Sequence, residues 1–171
     1  MFERDITLTG KHATYVKYFR DDAKLYARYV DVYMNGAIFG LLHNRRAEKD
    51  SGDATANILA DTLQRERNKC VLLYRLVMLL DETSNLDVQE RINRAFRDDA
   101  DDAAPGKLVA NMELFNSYVR GGIEEMYEQF IDGHGVTADE YLDRAMDVME
   151  TFKDELDDVD FSDKIEFLVQ G

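Results

Sequence analysis

Along the first third of the chain the apolar positions fall at Val16, Phe19, Ala23, Tyr26, Val30, Tyr33 and Ala37, alternately three and four apart. That period marks one face of an α-helix. It predicts a helix from about Lys11 to about Arg46, which Asp21-Asp22 could restart and Asn35-Gly36 could kink. Gly36 and Gly40 share a face, so a second backbone could approach closely there. After the turn-like "KDSGDA", a second stripe of Leu59, Leu63, Cys70, Leu73, Val77 and Leu80 predicts a helix from about Ala54 to Glu82. Between Cys70 and Leu80 the chain is apolar nearly all round, which places the centre of the fold in this stretch. Its one charge, Arg75, reads as a snorkelling or paired cation.

Further on, Asp87 and Glu90 have the spacing of a capping box, and Val88, Ile92 and Phe96 give a short helix behind it. The stretch "RDDADDAAPGK" is a loop containing Pro105. A helix from Leu108 to Ile131 turns Leu108, Met112, Phe115, Val119, Ile123, Met126 and Phe130 inward. Gly121-Gly122 in its middle predict a kink or a close crossing. Thr137 and Glu140 form a second capping box, with Val136 and Tyr141 placed for a hydrophobic staple. The helix behind it reaches about Asp157, with Leu142, Ala145, Met149, Phe152 and Leu156 inward. The tail "DFSDKIEFLVQG" fits either a last helical turn or a short strand that pairs with "DITLT". The whole pattern predicts an all-α, single-domain bundle of five to six helices over residues 1–171, with two long central helices near 11–46 and 54–82.

Composition agrees with that picture. One proline in 171 residues favours helix, and 45% hydrophobic with 33% charged residues is globular rather than disordered. A lone cysteine, Cys70, allows no disulfide within the chain and reads as a small core residue. The N-terminus "MFERDITLTG" lacks a signal-peptide core, and no apolar run is long enough to span a bilayer. These features predict a cytoplasmic protein with no membrane contact.

Charge changes the picture more. The formal net charge is −14, but residues 1–80 carry 13 Lys/Arg against 10 Asp/Glu, while residues 81–171 carry 8 against 25. Such a division marks either a partner surface or two halves that face each other. Net acidity disfavours nucleic acid, whose phosphates need Lys and Arg to neutralise them. The basic cluster "HNRRAEK" supplies His43, Arg45, Arg46 and Lys49 at the end of a helical run. Cations complement a helix C-terminus, but one suffices for that. The surplus makes these four residues a candidate partner-binding surface, meeting carboxylates of this chain or of another protein.

Catalytic templates are scarce. His12, His43 and His134 are scattered, with no His-Glu-x-x-His and no Glu-x-x-His, and there is neither a phosphate-binding glycine loop nor a Gly-x-Ser-x-Gly elbow. No catalytic residue and no cofactor motif emerge. Tyr15, Tyr18 and Tyr29 lie among basic residues and could stack on bases, whereas Tyr26 and Tyr33 fall on the core stripe. One carboxylate constellation stands out. "EEMYE" and "EYLD" place Glu125 and Glu128, then Glu140 and Asp143, as Glu-x-x-Glu, eleven residues, Glu-x-x-Asp. This resembles the arrangement with which MazG-type all-α nucleotide pyrophosphohydrolases hold magnesium against a triphosphate. The resemblance covers about twenty residues, with a shorter gap than that family has. It implies magnesium as the one candidate cofactor and those four carboxylates as its ligands.

Three functional expectations follow in order. The first is a non-enzymatic protein–protein interaction module, a small subunit or adaptor of a larger assembly, or a homo-oligomer. The second is a role linked to nucleic acid, with the basic half contacting it or the acidic half mimicking it. The third is the magnesium-dependent nucleotide hydrolase.

Overall fold

The computed structural model describes residues 1–98 and 106–157, the last four as backbone only. Pro105, the Leu156 side chain and the tail lie outside the described residues. The elements in chain order are β1 (Ile6–Thr9), α1 (Gly10–Asp21), α2 (Tyr29–Leu42), β2 (Thr55–Ile58), α3 (Ala60–Arg65), α4 (Arg67–Leu80), α5 (Val88–Phe96), α6 (Lys107–Phe130) and α7 (Ala138–Asp157). The fold is broadly all-α, with seven helices and one two-stranded sheet among the described residues. None of these helices is long and apolar enough to cross a membrane.

The first long helix expected from the sequence is two helices. Asp21 and Asp22 stand at the end of α1, where negative charge opposes the helix dipole. Lys24 then turns left-handed at φ 56°, and α2 restarts after Arg28. The stripe period survives the break because Ala23 and Val30 both reach the core. The second long helix is also divided. Thr55–Ile58 pairs antiparallel with β1 in the register Ile6↔Ile58 and Leu8↔Ala56. Leu8, Ala56 and Ile58 point inward while Thr55 and Asn57 stay exposed, a strand's period of two. "DITLT" therefore pairs with residues 55–58. Glu66 separates α3 from α4.

α6 is the axis of the fold, within a residue of its expected bounds. It packs chiefly against α2, not against the second long helix expected from the sequence. Phe115 of α6 meets the rings of Phe2, Tyr33 and Tyr74, with centroids 5.9–6.0 Å apart. Phe19 of α1 meets Phe130 and Tyr127 edge-on. The two backbones approach closely enough that a Cβ at Gly122 would collide with the carbonyl oxygen of Gly36 and the amide nitrogen of Gly40. A Cβ at Gly40 would collide with the Tyr118 carbonyl. The glycines are what let this seam close.

α4 corrects the sequence reading of the core. Cys70, Tyr74, Val77 and Met78 are buried, but Leu72, Leu76 and Leu80 are 58%, 36% and 46% exposed. Leu73 is half-buried, and Leu59, placed on the inward stripe, is exposed. Arg75 lies 5.0 Å over the Phe96 ring. α7 is similar. Ala145 and Phe152 are half-buried, whereas Leu142 and Met149 face outward together with Met146. The expected staple is absent. Val136 is exposed, and Tyr141 is buried with its hydroxyl donating to the Gly135 carbonyl and 2.9 Å from the Tyr18 hydroxyl.

Both capping boxes form. Asp87 accepts from the Glu90 amide at 2.8 Å and Glu90 accepts in return from the Asp87 amide at 3.2 Å. Thr137 and Glu140 do the same at 3.4 and 3.0 Å.

Candidate functional site

The basic cluster is positioned by the way α2 ends. Asn44 turns left-handed at φ 48°, its amide donates to Leu41 O at 3.2 Å, and the Arg45 amide donates to Gly40 O at 2.8 Å. This is a Schellman motif, in which asparagine takes the usual place of glycine. It reverses the chain so that the backbone of Arg45 lies against Gly121 of α6, where a Cβ would collide with the Arg45 carbonyl.

From that anchor the Arg45 guanidinium reaches three carboxylates on one face of α6. It donates to Glu128 through Nη1 and Nη2 at 2.6 Å each, to Glu125 at 2.8 Å and to Glu124 at 3.2 Å. The Glu128 carboxylate, hydrogen-bonded first by Arg45, is held below the usual range. Partial burial would raise the Glu125 carboxyl, but hydrogen bonds from Arg45 and Gln129 outweigh it and lower it. Glu124 binds on its other side to Lys11 at 2.8 Å and to His12 Nε2 at 2.9 Å. Burial would raise Glu124 as well, and the bonds from Lys11 and His12 bring it down. His12 is fully buried, and burial lowers its proton affinity against the opposing pull of Glu124. A neutral imidazole beside a carboxylate donates from Nε2, so Nδ1 is left a buried acceptor without a partner among the described residues.

The other candidate residues are dispersed. His43 caps α2 with its Nδ1 3.8 Å from Glu125. Arg46 donates to the Thr83 hydroxyl at 2.8 Å and lies 6.0 Å over the Tyr118 ring. Lys49 is exposed. The four carboxylates of the magnesium reading do not converge. Glu125 and Glu128 are bound by Arg45, and Glu140 accepts from the Val136 and Thr137 amides at the start of its own helix. Asp143 is exposed on α7. Among the described residues no group of three or more His, Cys, Asp or Glu side chains is placed to hold a metal ion. A guanidinium in contact with Glu125 and Glu128 supplies the positive charge that a cation would have supplied there.

A second polar cluster gave no sequence signal. Asp81, fully buried at the end of α4, accepts from Tyr118 at 2.6 Å, from Arg94 at 3.0 Å, from the Thr83 hydroxyl at 2.5 Å and from the Ser84 hydroxyl. Burial alone would raise its proton affinity; the four donors reverse that and hold it well below the usual carboxylate range. Burial, with Asp81 as the next cause, pushes the Tyr118 phenol up to about 12. Lys11, His12 and Glu124 were also missed as members of the Arg45 cluster. The one local signal available was Asn44 after an apolar helical run, the mark of a helix C-terminus.

The exposed apolar groups form a third feature. Leu72, Leu76 and Leu80 run along one line of α4, and Ile92 and Phe96 lie one turn apart on α5, exposed by 36% and 49%. Arg75 lies over the Phe96 ring, so this exposed ring of α5 lies along the flank of α4 that carries Arg75.

Comparison with protein-family models, with curated proteins and with solved structures found no match to this chain.

Proposed function

We propose that this protein is a non-enzymatic interaction module, a small subunit or adaptor that docks another protein through the outer face of α4 and α5. The observation that carries this reading is the exposed row Leu72, Leu76 and Leu80 on α4, with exposed Phe96 on the adjoining α5 reached from α4 by Arg75. Large apolar side chains gathered on one face, unlike ones scattered singly, mark interaction sites. The basic cluster serves the reading less directly, since Arg45 is committed to α6 and Arg46 to the Thr83 hydroxyl, which leaves Lys49 exposed.

The test is a comparison of wild type with the double variant Leu76→Glu, Phe96→Glu. Tagged protein recovered from its native cells should bring down a defined partner in stoichiometric amount, and the double variant should lose it with an unchanged thermal midpoint. If the variant retains the partner, the α4–α5 face is not the docking surface. Magnesium-dependent hydrolysis of nucleoside triphosphates by the pure protein, abolished by Glu128→Gln, would replace this reading with the enzymatic one.

A further inference from the structure

A cavity of about 370 Å³ opens between the second half of α2, the end of α6 and the middle of α7. That volume falls within the range of small-ligand pockets, roughly 300–1,000 Å³. Three of the large apolar side chains exposed on the molecule, Ile38, Leu42 and Met149, line it, with Phe39, Val148 and Phe152 as further walls.

Its polar groups are few and connected. Arg144 donates from Nε to the Gln129 carbonyl at 2.9 Å, and the Gln129 side chain lies 3.4 Å from His43 Nε2. The three residues therefore make one connected polar side to a space that is lined mainly by apolar side chains, with Asn35 and Thr151 as separate polar liners. Arg144 is half-buried, and no hydrogen bond or ion pair among the described residues engages its two terminal nitrogens. The nearby carboxylate, Glu125, is already held by Arg45 and by Gln129 Nε2 at 2.8 and 2.6 Å. The remaining polar liners are satisfied locally, Asn35 by the Asp31 carbonyl and Thr151 by the Asp147 carbonyl. A half-buried guanidinium with both terminal nitrogens free, at the rim of a mainly apolar cavity, matches a carboxylate attached to an apolar body.

We infer that this cavity binds a small amphipathic monocarboxylate, its apolar chain between α2 and α7 and its acid group on Arg144. The inference does not depend on the α4–α5 docking face, which lies on other helices.

Isothermal titration of the full chain with octanoate, octanol and methyl octanoate tests it. Octanoate should bind once per chain, about tenfold or more tighter than the alcohol or the ester, as one charge-assisted pair supplies. Arg144→Gln should remove that preference and leave octanol affinity unchanged. Ile38→Trp, which fills the cavity from the α2 side, should abolish binding of all three. Because Arg144 also holds the Gln129 carbonyl, the acid–ester comparison on the unaltered protein decides the matter if Arg144→Gln does not fold. Equal affinity for acid and ester, no binding of any probe, or an octanoate preference that survives Arg144→Gln in a folded protein would overturn the inference.

Discussion

The α2–α6 seam and the outer face of α4 are built from equally helical sequence, yet they do opposite things. At the seam, glycines bring two backbones into contact and Arg45 ties the end of α2 to three glutamates of α6. On α4, leucines that would suit a core stand in solvent. Apolar content does not separate the two regions. What separates them is whether the partner helix can come close, and side-chain volume at the crossing decides that. The seam is a place where a methyl group matters, and the α4 face is one where a whole leucine side chain should not.

The largest effect should come from closing off that approach. Gly122→Ala puts a methyl group into the Gly36 carbonyl and the Gly40 amide, both backbone atoms that cannot swing aside. Overpacking of this kind should cost about 3 kcal/mol, measured as a drop in unfolding free energy in urea.

Next in size is Asp81, the anchor that joins the end of α4 to Tyr118 beside the seam. Asp81→Asn should cost about 2–3 kcal/mol near neutral pH, since Arg94 and Tyr118 would lose a charged acceptor in a buried site. The same network sets the acid limit. Asp81 binds its proton less readily folded than unfolded, so its contribution is complete above about pH 4 and is lost as the pH falls below that. His12 is also depressed in the fold, so its contribution is complete above about pH 6.5 and declines below it. Urea midpoints should therefore fall in two stages on acidification, and Asp81→Asn should shrink only the lower one, to which Glu124, Glu125 and Glu128 also contribute.

Arg45→Ala should cost less, about 1–2 kcal/mol, because the cluster is partly solvated. It leaves Glu124, Glu125 and Glu128 facing one another with only Lys11 and the histidines near. Sedimentation should find the oligomeric state unchanged, because the contact lies within one chain. Dissociation of an oligomer by this change would move the basic cluster back to an interface.

The smallest effect marks the other side of the comparison. Leu72→Ser, at the most exposed leucine of the α4 face, should alter stability by no more than about 0.5 kcal/mol. A loss of 2 kcal/mol or more, on the scale of a core leucine, would mean that this face is covered within the folded chain.

Sequence alone determined α6 almost to the residue, because a 24-residue helix repeats its period often enough to fix both face and limits. It also determined the capping boxes at Asp87 and Thr137, which are contacts across three residues. Gly36, Gly40, Gly121 and Gly122 marked the crossing, since an unfavourable helix residue needs a packing reason. The charge division between the halves was legible, and Arg45, His12 and Lys11 meet α6 carboxylates across it. Tertiary structure decided the rest. The pairing of Ile6–Thr9 with Thr55–Ile58 joins residues about fifty apart, and four-residue strands carry too little pattern to declare themselves. Asp21-Asp22 marked a possible restart, but the stripe runs on through the turn after Asp22, because both helices it joins use the same core, so only the fold showed that the helix breaks there. The face that α4 buries was open, since a helix apolar all round presents no preferred side and its neighbours choose for it. The fate of Glu125 and Glu128 was open for the same reason: spacing brings carboxylates to one helix face, but only the fold brings an arginine eighty residues away to meet them.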